Sequence, residues 1–293
     1  MNSKQTDNFN PLAVVGLKRK VRCYAMIPQE LLNKTHCIDN REGMMLLPND
    51  CIDLVVTSPP YNCGKNYGVV KDSLPWDIYW DNTKNWLVES FRIIKPGGRL
   101  AVNIPWWMEK KPRKLVPFYF QEIAVEIGFH MLDKIIWVKG NSYNIHTSGG
   151  FGGGGCGWGT YMSPSGPSIR CASEPIMIFS KGSRGRGITS GEGRGACVKN
   201  DITKDEFMEW TLDVWFIRGE HNKKHPAVFP AEIPHRLIKL YTYQKEIVLD
   251  PFMGSGTTAK AAKKLGRDYI GFEINPEYLE IEKQRTAQEC LCI

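Results

Sequence analysis

The chain has 293 residues, 42% of them hydrophobic, and a formal net charge of +7. This length allows one large α/β domain or two small ones with a sizeable core, and the basic balance is compatible with nucleic acid without being diagnostic of it. No apolar run is long enough to span a membrane, no signal peptide is recognisable, and the nine cysteines lie singly without the spacing of a zinc site. We therefore expect a cytoplasmic protein with reduced thiols and no bound metal.

Short apolar runs alternate with helical patterns along the chain. In order, we predict a strand at 52–57, helices at 83–94 and 115–127 separated by a strand at 99–104, strands at 134–138 and 175–180, a helix at 231–243, a strand at 246–250, a helix at 257–265, a strand at 269–273 and a last helix from Pro276. Strands separated by helices indicate an α/β fold with a doubly wound, mostly parallel sheet.

Two segments interrupt this alternation. Residues 148–160 contain a glycine cluster that cannot pack a core, and residues 181–199 are rich in Gly, Arg and Ser. We predict inserted loops here, with phosphate contacts from the arginines in the second segment, Arg184, Arg186 and Arg194. The predicted organisation is an N-terminal extension at 1–32, a catalytic half at 33–180, a small basic insertion for target recognition at 181–213 and a cofactor-binding half at 214–293.

The first predicted strand ends in a stiff polar corner, Ser58-Pro-Pro-Tyr61. Surface turns usually take Gly, Asn or Asp, whereas two consecutive prolines fix φ twice and remove two backbone donors. The carbonyls of Pro59 and Pro60 are then available as acceptors for a group outside the chain. Taken alone, the corner is equally typical of a proline-rich loop after a buried strand.

A second motif, Asp250-Pro-Phe-Met-Gly-Ser-Gly-Thr-Thr258, joins a predicted strand to a predicted helix through a glycine turn. Glycines allow close approach of a ligand, and the helix that follows offers unpaired N–H groups. Glu273 ends the next strand at a spacing that suits a carboxylate binding ribose hydroxyls. The motif lacks the Gly-Lys-Ser/Thr of a P-loop and the third glycine of a dinucleotide site, so it favours a cofactor with a single adenosine.

Together these motifs resemble those of amino-group DNA methyltransferases that use S-adenosylmethionine. The catalytic motif precedes the cofactor motif, which is the order of the β group, and the resemblance covers about residues 33–285, including similar segments at 163–170, 173–182 and 225–238. It implies a Rossmann-like methyltransferase fold and DNA as substrate. The resemblance assigns the cofactor to Asp39, Asp250, Phe252, Gly254, Gly256, Thr257 and Glu273, with Asp39 contacting the adenine.

The resemblance also assigns a chemical role to the corner. An exocyclic amino group is a poor nucleophile, and two acceptors aimed at its N–H bonds, Ser58 Oγ and the Pro59 carbonyl, localise its lone pair. Pro60 helps to keep this geometry rigid, and Tyr61 stacks on a base flipped out of the helix.

Ser in the first position of the motif is the variant typical of cytosine N4 methylation, and His225-Pro-Ala-Val-Phe-Pro230 favours the same branch. Adenine N6 transfer is the first alternative. A non-catalytic nucleic-acid-binding protein on the same scaffold and an RNA substrate are the others. A cognate restriction endonuclease is an expected partner, and the chain is expected to be a monomer or a homodimer.

The remaining aromatic and histidine residues carry weaker signals. We expect three tryptophans of the first helical region to pack the core, namely Trp76, Trp80 and Trp86. Trp106 and Trp107 follow a predicted strand, where packing and a role near the ligand are equally compatible with the pattern. The histidines without ligand spacing are predicted to be structural, namely His221, His225 and His235.

Overall fold

The computed structural model describes residues 26–69, 72–107, 114–139, 160, 162–167, 169, 171–182, 184–185, 201–219 and 229–287. Eight strands occur in these residues: β1 Lys34–Cys37, β2 Ile52–Thr57, β3 Ile94–Asn103, β4 Phe129–Val138, β5 Ser173–Lys181, β6 Val214–Phe216, β7 Ile247–Asp250 and β8 Asp268–Glu273. The helices are α1 Asn40–Met45, α2 Trp76–Ile93, α3 Val116–Ile127, α4 Lys204–Trp210, α5 Glu232–Tyr241, α6 Thr257–Lys264 and α7 Pro276–Ala287, and a 3₁₀ turn spans Gln29–Leu31.

All eight strands form one sheet in the order β1-β8-β7-β2-β3-β5-β4-β6. Only β5 runs antiparallel to its two neighbours, β3 and β4, and the other pairings of these strands are parallel. The predicted doubly wound, mostly parallel sheet is thereby confirmed. Strands β7 and β8 lie between β1 and β2, so the two predicted halves of the chain share a single sheet.

Helices cover both faces of this sheet. One core layer packs α1, α2 and α3 against the sheet, and the other packs α4, α5 and α6 against the opposite face. Every residue of β2 is buried, because its apolar side chains are divided between the two layers, with Ile52 and Val55 in one and Leu54 and Val56 in the other. The lack of apolar–polar alternation in Leu54-Val-Val56 has that physical origin.

The structure differs from the predicted elements mainly in the outermost strands and in where some elements begin. Strands β1 and β6 and helices α1 and α4 were not predicted, because they are short and have no long periodic apolar pattern. Helix α2 begins at Trp76, well before the predicted start at residue 83, and β4 begins at Phe129, before residue 134.

Much of the predicted insertion at 181–213 lies outside the described residues, including 186–200, and so does nearly all of the separate glycine cluster at 148–160. The described part of 181–213 contains helix α4, which Thr203 and Glu206 begin with a reciprocal capping box. The division of the chain into an extension, two halves and an insertion stays a prediction. Among the described helices, none has the length and apolar character needed to cross a membrane.

Candidate active site

The Ser-Pro-Pro-Tyr corner begins directly after β2, in the middle of the sheet. The carboxyl ends of parallel strands form the edge at which ligands bind in such sheets. Thr57 Oγ1, at the end of β2, donates a 2.7 Å hydrogen bond to Asp250 Oδ1, at the end of β7. The two motifs singled out in the sequence therefore lie side by side, although Thr57 and Asp250 are 193 positions apart in the chain.

The hydroxyl of Tyr61 lies at the centre of a hydrogen-bond cluster. Ser58 Oγ donates to it over 3.1 Å, and Asn103 Nδ2 donates to it over 2.7 Å. The Tyr61 hydroxyl donates in turn to Glu174 Oε2 over 3.0 Å, and the other Glu174 oxygen pairs with Lys139. Burial, together with the charge of Glu174, raises the pKa of Tyr61 well above its ordinary value. The phenol consequently stays protonated and can act as a donor.

Three members of this cluster, Asn103, Lys139 and Glu174, were not predicted as site residues. Asn103 ends β3 and Lys139 follows β4, so both lie at the carboxyl edge. Glu174 stands at the start of β5, and it reaches the same edge because β5 is antiparallel to its neighbours. The segment 173–182, which contains Glu174, resembles the family in sequence. The sequence does not show the direction of β5, so the position of Glu174 at the site was not predicted.

The two proline carbonyls of the corner have different surroundings. The Pro60 oxygen accepts a 3.0 Å hydrogen bond from the Tyr79 hydroxyl on α2, contrary to the expectation that both carbonyls face a ligand. Within the described residues, no hydrogen bond takes the Pro59 oxygen. Pro60 thus anchors the corner to α2, and Pro59 is the carbonyl that can accept from a substrate.

The loop after the corner is held by two polar side chains. The buried carboxylate of Asp72 accepts from the backbone N–H groups of Asn62 at 2.7 Å, Cys63 at 3.1 Å and Lys65 at 3.0 Å. The Asn62 side chain both donates to and accepts from the backbone of Leu74. These bonds fix the path of the chain beyond Tyr61, which favours a preorganised corner.

Asp250 is the organising group of the glycine loop. Its buried carboxylate accepts from Thr57 and Thr258 hydroxyls at 2.7 Å each and from the Phe252 N–H at 3.0 Å. Burial raises the pKa of Asp250 from 3.8 to about 6, and these hydrogen bonds oppose the rise. These three hydrogen bonds are all made to the protein itself. Asp250 therefore fixes the shape of the glycine loop.

The glycines of the loop are required by backbone conformation and by packing. Gly254 and Gly256 have φ of 54° and 83°, in the left-handed region that favours glycine. A Cβ at Gly256 would come within 2.3 Å of Glu282 Cγ on α7. Arg285, also on α7, donates to the carbonyl oxygen of Ser255 over 3.0 Å. The final helix thus holds the glycine loop in place. Thr257, the first residue of α6, is buried.

Glu273 and Asp39 lie at the ends of neighbouring strands, β8 and β1, and the Ile38 N–H donates to the Glu273 carbonyl over 3.1 Å. The Glu273 carboxylate accepts from Gly254 N–H and Asn275 N–H, each at 2.8 Å. Burial raises the pKa of Glu273, and these backbone N–H groups oppose the rise. The Asp39 carboxylate caps α1 and remains partly accessible. The structure brings both predicted acids to the edge that carries the glycine loop.

Aromatic residues pack beside the site largely as predicted. Trp86 is buried and meets Phe252 edge to face, with ring centroids 5.5 Å apart. Trp80 stacks on Trp76 at 6.1 Å and on Tyr119 at 5.6 Å, at the border of the core layer. These contacts agree with the expectation that the three tryptophans pack the core, and they place Phe252 at the junction of core and glycine loop.

Trp106 and Trp107 lie at the same edge. Trp106 Nε1 donates to Ser173 Oγ over 3.1 Å, and Trp107 is 40% exposed. Trp106 is thereby fixed to the start of β5, and Trp107 keeps part of its ring accessible at this edge. His235 is half-buried and meets Trp210 edge to face, which is consistent with a structural role.

Arg184 is distant from the corner. It follows β5, whose last residue Lys181 pairs with Phe129, the first residue of β4, at the opposite edge of the sheet from Ser58. The Arg184 guanidinium pairs with Asp133 at 2.7 Å. The predicted DNA contact of Arg184 therefore stays a prediction that its position does not support. The other two arginines of this prediction, Arg186 and Arg194, lie outside the described residues.

Among the described residues, no group of three His, Cys, Asp or Glu side chains is arranged to hold a metal ion. The site consists instead of a glycine loop with two carboxylates and an adjacent corner of acceptors. This combination is the one expected of a protein that binds a nucleotide-like cofactor in the glycine loop. The acceptors of the corner would then face a substrate group that carries N–H donors.

Comparison with known proteins identifies the family. A DNA methylase family model, N6_N4_Mtase, matches residues 52–284, so the chain belongs to the DNA methylase family. The order of its motifs makes it a β-group amino-methyltransferase. Type II methyltransferase M.MjaVI of Methanocaldococcus jannaschii is 38% identical over 213 residues, which are 72% of this chain and 94% of the relative. Type II methyltransferase M.BglII of Bacillus subtilis is 28% identical over 270 residues, covering 89% and 71% of the two chains.

Solved structures share the fold. TTHA0409 of Thermus thermophilus, in complex with S-adenosyl-L-methionine, matches with a TM-score of 0.67 and 28% identity over 89% of this chain and 95% of its own. PvuII DNA methyltransferase, cytosine-N4-specific, matches with a TM-score of 0.62 over 86% of this chain and 85% of its own, and at 22% identity this likeness shows the fold alone.

The protein is a DNA methyltransferase of the N4/N6 amino family, and its cofactor is S-adenosyl-L-methionine. The residues present fit this cofactor, because Glu273 and Asp39 are acceptors suited to the ribose hydroxyls and the adenine amino group, both of which donate. The left-handed φ of Gly254 and Gly256 lets the loop turn tightly, and the Gly254 N–H thereby reaches the Glu273 carboxylate.

Proposed function

We propose that the protein methylates the exocyclic N4 amino group of cytosine in DNA, as the modification enzyme of a Type II restriction–modification system. The observation that carries the proposal is the position of Ser58, first in the corner at the end of β2 and adjacent to the cofactor loop through the Thr57–Asp250 bond. Serine in that position is the variant typical of cytosine enzymes.

The corner activates the amino group by accepting its two protons in hydrogen bonds. Ser58 Oγ and the Pro59 carbonyl are the two acceptors, and they direct the nitrogen lone pair away from the ring and toward the methyl donor. Tyr61 offers its ring face to a cytosine that has left the helix, because an amino group inside the duplex cannot reach the site. The hydroxyl of Tyr61 is anchored by Glu174 and Asn103, which favours a fixed ring.

The chain holds the cofactor through the ends of three neighbouring strands. Glu273 binds the ribose hydroxyls, Asp39 the adenine, and Gly254 and Gly256 line the loop, with Phe252 packing beside it. Asp250 and Thr257 act indirectly, since both are buried in the loop and its following helix. When bound, S-adenosyl-L-methionine supplies a methyl group already activated by its sulfonium charge, so positioning accounts for much of the catalysis.

Adenine N6 transfer is the second candidate within the same family. A non-catalytic DNA-binding protein is disfavoured, since the serine, the tyrosine and both glycines stand in one connected site. The Type II descriptions of M.MjaVI and M.BglII support the restriction–modification context. A cognate endonuclease and a monomeric or homodimeric state belong to this proposal.

Mass spectrometry of nucleosides tests the proposal directly. DNA is incubated with the protein and S-adenosyl-L-methionine carrying a labelled methyl group, then digested to nucleosides. We expect labelled N4-methylcytosine, and none with the Ser58→Ala variant under the same brief incubation. Labelled N6-methyladenine would overturn the choice of base, and the absence of any labelled nucleoside would overturn catalysis.

A further inference from the structure

The hydroxyls of Ser58 and Tyr61 form a chain that ends on the carboxylate of Glu174. Ser58 Oγ lies 3.1 Å from the Tyr61 hydroxyl oxygen, which lies 3.0 Å from Glu174 Oε2. Asn103 Nδ2 donates to both the Tyr61 oxygen, at 2.7 Å, and Glu174 Oε2, at 2.9 Å. Lys139 donates to the other Glu174 oxygen. Two hydrogen bonds thus link the Ser58 hydroxyl, through the Tyr61 hydroxyl, to a charged carboxylate.

The chemistry of the end groups determines the direction of this chain. A carboxylate only accepts hydrogen bonds, whereas an amide NH₂ and an ammonium only donate. The Tyr61 proton therefore points toward Glu174, and the Asn103 amide takes one lone pair of the Tyr61 oxygen. The backbone carbonyl of Asn103, at 3.4 Å from the Tyr61 hydroxyl, is also an acceptor, so it favours the same direction. The remaining lone pair of Tyr61 can receive only the Ser58 proton.

The surroundings strengthen this preference. Asn103 is 4% exposed, and the side chains of Glu174 and Lys139 are 15% and 20% exposed. Hydrogen bonds to a charged group are stronger in such a low-dielectric setting, and linked bonds polarise one another. The Glu174–Lys139 pair therefore holds one orientation of both hydroxyls.

We propose that Glu174 is a positioning residue that makes Ser58 a hydrogen-bond acceptor toward the target amino group, by fixing the direction of the Ser58–Tyr61–Glu174 chain. A serine hydroxyl can donate or accept, and a proton directed at the amino group would repel its N–H bonds. With the Ser58 proton held by Tyr61, the lone pairs of Ser58 Oγ face the substrate. This inference rests on the proposed function, and it applies equally to an amino group on adenine.

A double-mutant cycle tests the chain. Glu174→Gln introduces an NH₂ group that can reverse the direction, and Tyr61→Phe removes the linking hydroxyl but keeps the ring. In single-turnover methylation we expect each variant to be slower by about tenfold or more, with cofactor and DNA dissociation constants within about twofold of wild type. The double variant is expected to be no slower than Tyr61→Phe alone, because the chain is already broken.

A matched control separates an effect on the direction of the hydrogen-bond chain from a general loss of folding stability. Asp53→Asn breaks another buried ion pair, Asp53–Lys95 at 2.7 Å, in the first half of β2 and away from the corner. We expect this variant to lose stability in urea denaturation and to keep the wild-type methylation rate. Equal rates for Glu174→Gln and wild type would overturn the proposal. A further loss from Glu174→Gln in the Tyr61→Phe background, equal to its loss in wild type, would also overturn it.

Binding specificity gives a readout independent of methyl transfer. In a duplex carrying the mapped site with an abasic position opposite the target, so that neither base is paired, uracil in place of the target cytosine exchanges an amino donor for a keto acceptor. We expect wild type to bind the cytosine duplex more tightly, and Glu174→Gln to reduce that preference by about fivefold or more, because Ser58 can then donate. An unchanged preference would overturn the proposal. Methylation of adenine would instead overturn the proposed function alone, with hypoxanthine taking the place of uracil in this test.

Discussion

At the scale of single residues, the acceptor at the corner is the most sensitive position. Ser58→Ala removes one acceptor without adding bulk, and the loss of one preorganised contact raises the barrier by a few kcal/mol. We expect single-turnover methylation to slow by about a hundredfold or more, with little change in cofactor or DNA binding. A wild-type rate in rapid-quench measurements would show that the corner is only a stiff loop.

Asp250 predicts a pH dependence of stability. Its pKa is raised from 3.8 to about 6 in the folded protein, so the folded state binds more protons than the unfolded chain between these values. Stability from this group is fully present below about pH 4 and is lost as pH rises through about 6, by up to about 3 kcal/mol.

Comparison with Asp250→Asn isolates this contribution, since asparagine has nearly the same shape and does not titrate. We expect the free energy of unfolding in urea to fall from pH 4 to pH 7 more steeply for wild type than for the variant. Parallel pH profiles of the two proteins would mean that the hydrogen bonds of Asp250 keep it ionised in the folded state.

At the scale of elements, the glycine loop depends on its fit against α7. Gly256→Ala combines a strained φ of 83° with a Cβ only 2.3 Å from Glu282 Cγ, so the loop must shift. We expect the affinity for S-adenosyl-L-methionine in calorimetry to fall by about tenfold or more, since a loop displacement of this kind costs about 1–3 kcal/mol.

Gly266→Ala is the matched control for this prediction. Gly266 has a similar φ of 66°, but a Cβ there would meet nothing within 4 Å, and the residue follows the end of α6, away from the loop. The control should lose some stability and keep its cofactor affinity. Equal losses of affinity in both variants would attribute the effect to general destabilisation.

At the scale of the whole molecule, the net charge of +7 predicts DNA binding that weakens with salt. The position of Arg184, at the far edge of the sheet and paired with Asp133, predicts that it contributes little to this binding. In fluorescence anisotropy over a salt series, Arg184→Gln is expected to leave both affinity and the logarithmic salt slope unchanged. A slope reduced by about one would instead demonstrate a phosphate contact.

Several features of this protein were determined by the sequence alone. The buried strand β2, the glycine turn between strand and helix, the helix that begins at Thr257 and the position of Glu273 were all predicted from local patterns, whereas Asp39 was assigned by the resemblance to the family. Such features depend on periodicity, on backbone dihedral preferences and on motif spacing, which neighbouring residues carry with little help from the rest of the chain.

Only the tertiary structure decided which distant residues meet. The antiparallel direction of β5 brings Glu174 to the corner, the Thr57–Asp250 bond joins the two motifs, and Arg184 is carried to the opposite edge. Strand order and direction result from contacts between segments far apart in the chain, and short edge strands such as β1 and β6 are stabilised by their partners. No local pattern encodes these pairings, because their free energy arises only when the whole sheet is assembled.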